Sequence, residues 1–205
     1  MNSDYLDGMK HCFGTMLDYT VNCCGIDGDR FLDMFVASGI AVQIEHDNPK
    51  YIAGKSGIEL ANDVLEQVGY EPEKIQNKWS AQDENTDYWC GWALIQYQSY
   101  SGNTFKKIHR MINYENLRNM YQKYHEMDIT KFYDYVDEVE KKSEAPLKTQ
   151  RRLAGMSQQI LATKSGTNLR TLQAYEQMAK DIKKAGIETV KSLADTIGCN
   201  VEDII

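Results

Sequence analysis

"GMSQQILATKSGTNLRTLQAYEQ", Gly155 to Gln177, is the stretch whose reading decides the fold. Ser157 stands where a helix N-cap belongs, and "QQILATKSG" turns Ile160 and Leu161 inward. Ala162 is small enough for a second helix to cross closely. Gly166 supplies a tight turn, since glycine alone enters the left-handed region freely. Thr167 or Asn168 then caps "LRTLQAYEQ", which points Leu172 and Tyr175 to a core and Leu169, Arg170, Gln173 and Ala174 outward. Two helices joined in this way make a shape that enters the major groove of DNA. There arginine reads guanine and glutamine reads adenine.

The net charge of the whole chain opposes that reading. The chain of 205 residues carries 23 Lys+Arg against 30 Asp+Glu, a formal −7, whereas DNA affinity rests largely on cationic contacts. The conflict disappears once the chain is divided. Residues 147–205 hold nine Lys/Arg and six Asp/Glu, a net +3, while residues 1–146 hold fourteen and twenty-four, a net −10. Such asymmetry points to two parts with different partners. The join falls in "KKSEAPLK", Lys141 to Lys148, where Pro146 ends any helix at or before Ala145. The expected domains are therefore an acidic one over 1–142 and a basic one over 147–205.

Upstream of the join, helical periodicity dominates and no alternation is long enough for a sheet. Tyr5–Asn22 carries Leu6, Met9, Phe13, Met16, Leu17 and Thr20 on one stripe. Asp27 or Asp29 caps "RFLDMFVAS", which Gly39 ends or bends; "GIAVQIEH" reads as a helical turn or a short strand. Ser56 and Glu59 have capping-box spacing ahead of a helix with Ile58, Ala61, Leu65 and Val68 on its apolar face, stopped by Gly69. Residues 70–86 are polar and predict a loop or internal hinge. Thr86 or Asp87 then caps a helix with Trp89, Trp92, Ala93, Gln96 and Tyr100 along one side, closed by Gly102. "TFKKIHRMI", "NYENLRNMYQKYHEMD" and "DITKFYDYVDEVEKK" predict three more helices, the last capped by Asp128 with Phe132, Tyr135, Val136 and Val139 inward.

Several function classes are excluded or disfavoured. No apolar run approaches the roughly 20 residues of a membrane span, and the acidic N-terminus is unlike a signal peptide, so a cytoplasmic protein is expected. Five cysteines without framework spacing fit a reducing compartment. His11, Cys12, Cys23 and Cys24 cluster in sequence, but their spacing does not match zinc patterns, and buried hydrophobe is the plainer role. His125-Glu126-Met127-Asp128 is not HExxH, because position 129 is Ile129. His46 and His109 stand alone. Trp89, Trp92, Tyr97 and Tyr100 are expected in the core rather than around a ligand. No GxSxG, phosphate-loop or GxGxxG motif occurs, so no enzyme, cofactor or metal is expected.

"LKTQRRLAGMSQQILATKSGTNLRTLQAYEQ" and the tail "AGIETVKSLADTIGCNVEDII" resemble the helix-turn-helix domain of the Cro and C1 repressor family, the xenobiotic-response-element type of bacterial regulator. The resemblance implies an all-α, five-helix lambda-repressor-like domain. It implies base contacts by Leu169, Arg170 and Gln173, phosphate contacts by Gln158, Thr167 and Asn168, and a structural ion pair between Arg151 and Glu176. The family has glycine soon after that glutamate, whereas this chain runs "QMAKD"; Lys180, Lys183 and Lys184 are candidate phosphate contacts there. "YWCGWALIQYQSYSGNTFKKI" with "YHEMDITKF" resembles the middle segment of uncharacterised regulators with this domain. "GDRFLDMFVASGIAVQIEHDNPKYIAGKSGIELANDVLE" resembles small helical proteins found beside ADP-ribosyltransferase-like toxins. The expected function is a sequence-specific DNA-binding repressor, a homodimer on an operator of two half-sites. Two alternatives stay open: an antitoxin-like protein whose acidic domain binds a basic partner protein, and a small-molecule-sensing regulator.

Overall fold

A computed structural model describes residues 3–72, 85–142 and 144–205. The described residues are helical, with no strand among them. The expected loop or hinge over 70–86 falls mostly outside the described residues. The chain forms two compact units, residues 1–141 and 142–205.

In the first unit α1 (Ser3–Asp18) runs into a π-helical turn (Tyr19–Cys23). Then come α2 (Gly28–Ala37), α3 (Ile40–Glu45), α4 (Pro49–Ile52) and α5 (Gly57–Gln67). After them lie α6 (Thr86–Ser101), α7 (Phe105–Met111), α8 (Tyr114–Tyr124) and α9 (Ile129–Lys142). The "GIAVQIEH" run is thus helix, entered through Gly39 at φ 77. Helix α1 packs chiefly on α6 and α5. Phe13, Phe35 and Phe105 tie α1, α2 and α7 together, with ring centroids 5.1–5.7 Å apart. Each such pair contributes about 1 kcal/mol beyond the area it buries.

Helix α6 departs from the expected one-sided pattern. Residues Asp87 to Gln98 are all buried except Trp92, while Tyr100 is 57% exposed. A helix covered all round is a core helix and has no stripe for the sequence to show. Its cap is Asn85, whose Oδ1 accepts from Asp87 and Tyr88 N–H, not Thr86 or Asp87. Asp87 is taken by a buried polar network instead. Asp87 accepts from Arg118 Nε at 3.0 Å, from Tyr114 Oη and from Asn22 Nδ2 at 2.9 Å. The same Asn22 donates to Asp18 Oδ1 at 2.8 Å, and Asn85 donates there too.

Smaller corrections follow from the same packing. The core takes Leu60, Ala61, Val64 and Leu65 of α5, leaving Ile58 and Val68 only half-buried. Ser56 and Glu59 do form the capping box. Asp27 caps α2, whereas Asp29 accepts from Tyr114 N–H at 2.5 Å, at the start of α8, which Asn113 caps. Tyr135 is 37% exposed because α9 buries its Phe132–Val136 side. His109 is not solitary: it lies 3.2 Å from Asp33 and 3.8 Å from Asp29.

The second unit comprises α10 (Pro146–Leu153), α11 (Gln158–Ser165), α12 (Leu169–Glu176) and α13 (Ile187–Ile197). Two 3₁₀ turns, Ile182–Lys184 and Val201–Asp203, complete it. The fifth helix of the expected five is therefore a single 3₁₀ turn over Val201–Asp203. Leu147, Leu161, Ala162, Leu172, Tyr175, Val190, Leu193, Ala194 and Ile204 form the core. Ile160, expected inward, is 45% exposed. Residues 160–162 sweep about 200° around the helix, and the core takes Leu161 and Ala162.

Candidate nucleic-acid interface

The turn between α11 and α12 is fixed by local chemistry. Ser157 Oγ accepts from Ile160 N–H at 3.2 Å and starts α11. Gly166, at φ 68, ends it. Asn168 Oδ1 then accepts from Arg170 and Thr171 N–H at 2.9 and 3.3 Å, so Asn168 rather than Thr167 is the cap of α12. Ser192 of α13 donates to the Ser165 carbonyl at 2.8 Å and pins the turn from below.

Beneath α12 lies a buried ion pair. Arg151 Nε and Nη2 donate to the two oxygens of Glu176 at 2.6 and 2.9 Å, and Nη1 donates to the Met156 carbonyl at 2.6 Å. Both residues are less than 9% exposed. The fork pairs the two charges and each guanidinium nitrogen makes a bond, which is what makes a buried pair tolerable. The bond to Glu176 pushes the Arg151 guanidinium further above its usual range. Gln158 Nε2 donates to Glu176 Oε2 at 2.8 Å, and Gln173 Nε2 donates to Gln158 Oε1 at 3.4 Å. One chain of bonds thus runs from α10 through α12 and α11 to Gln173.

Of the three residues expected to face bases, Arg170 is exposed and is the sole cation of α12. Gln173 is half-buried against Gln158, and Leu169 leans on the core. A groove of about 500 Å³ opens beside the turn, lined by Thr167, Asn168, Lys180, Lys184, Glu188 and Thr189 among others. Asn168 caps α12 and Gly186, on the same wall, caps α13, so two helix N-termini open into it. Their dipoles favour an anion, although Asn168 already takes two of the first-turn N–H groups of α12. Thr167 Oγ1 is buried there without a hydrogen-bond partner. Lys180 Nζ sits 5.4 Å from the Tyr175 ring centroid, and Lys184 Nζ is 3.9 Å from Asp181. Lys183 is exposed but does not line the groove, and Gln158 is engaged with Glu176. The lining by Thr189 and Ser192 of α13 had no local signal in the sequence, since only the fold brings α13 to the turn.

Within the "QMAKD" run Met178 has φ 54. The loop therefore holds a non-glycine residue in the left-handed region. A side chain there costs about 1 kcal/mol. Met178→Gly should raise the unfolding free energy of the second unit by about 0.5 kcal/mol, the strain relieved less what glycine's flexibility gives the unfolded chain, and so raise its urea midpoint. An unchanged or lower midpoint would show that Met178 is not strained.

Elsewhere, Cys12, Cys23 and Cys24 are buried and His11 bonds the Tyr88 hydroxyl at 2.9 Å. Burial pushes the Cys12 thiol up to about 12, with Glu59 adding to it. No group of three His, Cys, Asp or Glu suited to a metal occurs among the described residues. No helix among them is long and apolar enough to cross a membrane. A cleft of about 280 Å³ in the first unit is lined by Glu45, His46, Asp47, Gln98, Ser99 and Thr104. Glu45 already accepts Phe105 N–H there at 2.6 Å, at the start of α7, which Thr104 caps. The chain matches no family model, no curated protein and no solved structure.

Proposed function

We propose that residues 147–205 bind double-stranded DNA as a helix-turn-helix domain of the Cro and C1 type, and that the protein is a transcriptional repressor acting as a homodimer. One observation carries the reading. Helix α12 presents the exposed Arg170 on its first turn, next to a groove where two helix N-termini, Lys180 and Lys184 converge. A base-reading cation and a phosphate cradle side by side are what a duplex requires of a small domain. Gln173, steadied by Gln158, offers its carbonyl oxygen to an adjacent base. Lys180, Lys184, Thr167 and Asn168 take backbone phosphates. Lys183 adds only long-range attraction.

The experiment is a mobility-shift titration of DNA from upstream of the protein's own gene. Arg170→Ala should weaken specific binding about 10-fold to 100-fold and relax preference at one base position. Lys184→Ala should weaken binding evenly across sequences and lower the salt slope by about one. If no duplex shifts even at low salt, or if Arg170→Ala changes nothing, the reading fails.

A further inference from the structure

We propose that the outer face of α9, together with Tyr100 of α6, is a docking surface for an arginine-rich segment of a partner protein. Between Glu126 and Glu140 the chain places six Asp/Glu and one Lys. Half of the net −10 of residues 1–146 therefore sits on one helix and the turn before it, with Glu140 paired to Lys107 and Asp134 and Glu138 exposed. Solubility alone needs charge but not its concentration. The Asp134 carboxylate is 70% exposed and only 3.8 Å from Lys131, too long for a firm pair. Such a face attracts and orients a cationic partner.

The aromatic part gives the surface its chemistry. Tyr100 stacks on Tyr133 with centroids 4.5 Å apart and planes 17° apart. That covers one side of the Tyr100 ring, yet the residue remains 57% exposed, so its other side is open. Asp137 holds the pair in place, accepting from Tyr100 Oη at 3.4 Å and Tyr97 Oη at 2.8 Å. Tyr133, Asp134 and Asp137 lie on adjoining positions of α9. A fixed ring face flanked by carboxylates suits a guanidinium, which stacks on the ring and still forks to an acid. The unit already uses this pairing internally: Arg30 lies 4.8 Å over Tyr70, and Lys123 lies 4.9 Å over Tyr124. Two copies of this face fit each other poorly, because both are acidic. The inference stands apart from DNA binding by residues 147–205.

The test is fluorescence anisotropy of the full chain with short labelled peptides of repeating Arg-Ala-Ala or Lys-Ala-Ala, at about 0.15 M salt. The arginine peptide should bind more tightly than the lysine peptide. Tyr100→Ala should weaken the arginine peptide about fivefold and erase that preference, while Tyr100→Phe keeps it. Asp134→Lys should weaken binding about tenfold, whereas Glu66→Lys, the same charge change at an exposed position of α5, should alter it less than about twofold. Equal losses for the two lysine variants would reduce the effect to net charge and overturn the proposal. So would an absence of binding, or no preference for arginine.

Discussion

Gly91→Ala is expected to lower the unfolding midpoint of the first unit by about 10 °C or more. Gly91 lies midway along α6, where it meets α1. A Cβ on Gly91 would sit 2.0 Å from the Phe13 carbonyl oxygen, 2.5 Å from its carbon and 2.8 Å from Gly14 N. All three are backbone atoms, so no side chain can swing aside. The two helices would have to part, and α1–α6 is the most extensive pairing in the unit. The notch is reciprocal: a Cβ on Gly14 would meet the Tyr88 ring at 2.6 Å. Gly8 is the comparison. It is exposed on α1, and nothing lies within 4 Å of its added Cβ, so Gly8→Ala should stabilise by up to about 1 kcal/mol through helix propensity. Tryptophan fluorescence reads this unit alone, because Trp79, Trp89 and Trp92 all precede residue 142. If Gly91→Ala and Gly8→Ala shift the midpoint alike, the close approach of α1 and α6 is wrong.

What could be read in advance was what is local. Capping residues sit within three positions of what they cap, so Ser56, Asp27, Asn168 and Ser157 announce their helices. Left-handed glycines such as Gly102 and Gly166 announce the stops. Periodicity placed the helices but misjudged their faces wherever burial was complete or crossed by polar groups. Helix α6 hides its role because nearly every side is covered. Asp87 looked like a cap because nothing nearby shows that Tyr114 and Arg118, 27 and 31 residues on, will claim it. Asp18 and Asn85 meet across 67 residues with no trace in either stretch.

The candidate interface divides along the same line. The turn chemistry and the exposure of Arg170 follow from residues 157–173. The groove does not, because it needs α13 and the loop carrying Lys180 and Lys184 to close on the turn. The role of Gln158 lies between these cases: its place at the helix start was legible, but its bonds to Glu176 and Gln173 depend on how α11 crosses α12. The paired tyrosines Tyr100 and Tyr133 are also illegible, since helical spacing shows neither that Tyr100 stays exposed nor that α9 brings Tyr133 against it.

Glu176→Ala should destabilise the second unit by about 3–5 kcal/mol, because it strands a buried guanidinium rather than merely deleting a contact. Arg151 would keep its bond to the Met156 carbonyl but lose both partners of Nε and Nη2. Gln158 would lose its acceptor as well, and with it the support of Gln173. Hydrogen exchange of amides in residues 147–205 would register the loss as faster exchange throughout that unit. The double variant Arg151→Met with Glu176→Leu separates the two consequences. Apolar side chains of similar bulk remove both charges together, so most of the stability should return. The brace on Gln158 should not return, since leucine accepts no hydrogen bond. A double variant that folds well yet binds operator DNA more weakly than the parent would assign the ion pair a positioning role for Gln158 and Gln173 beyond its part in stability. Full recovery of both properties would make it a packing element alone.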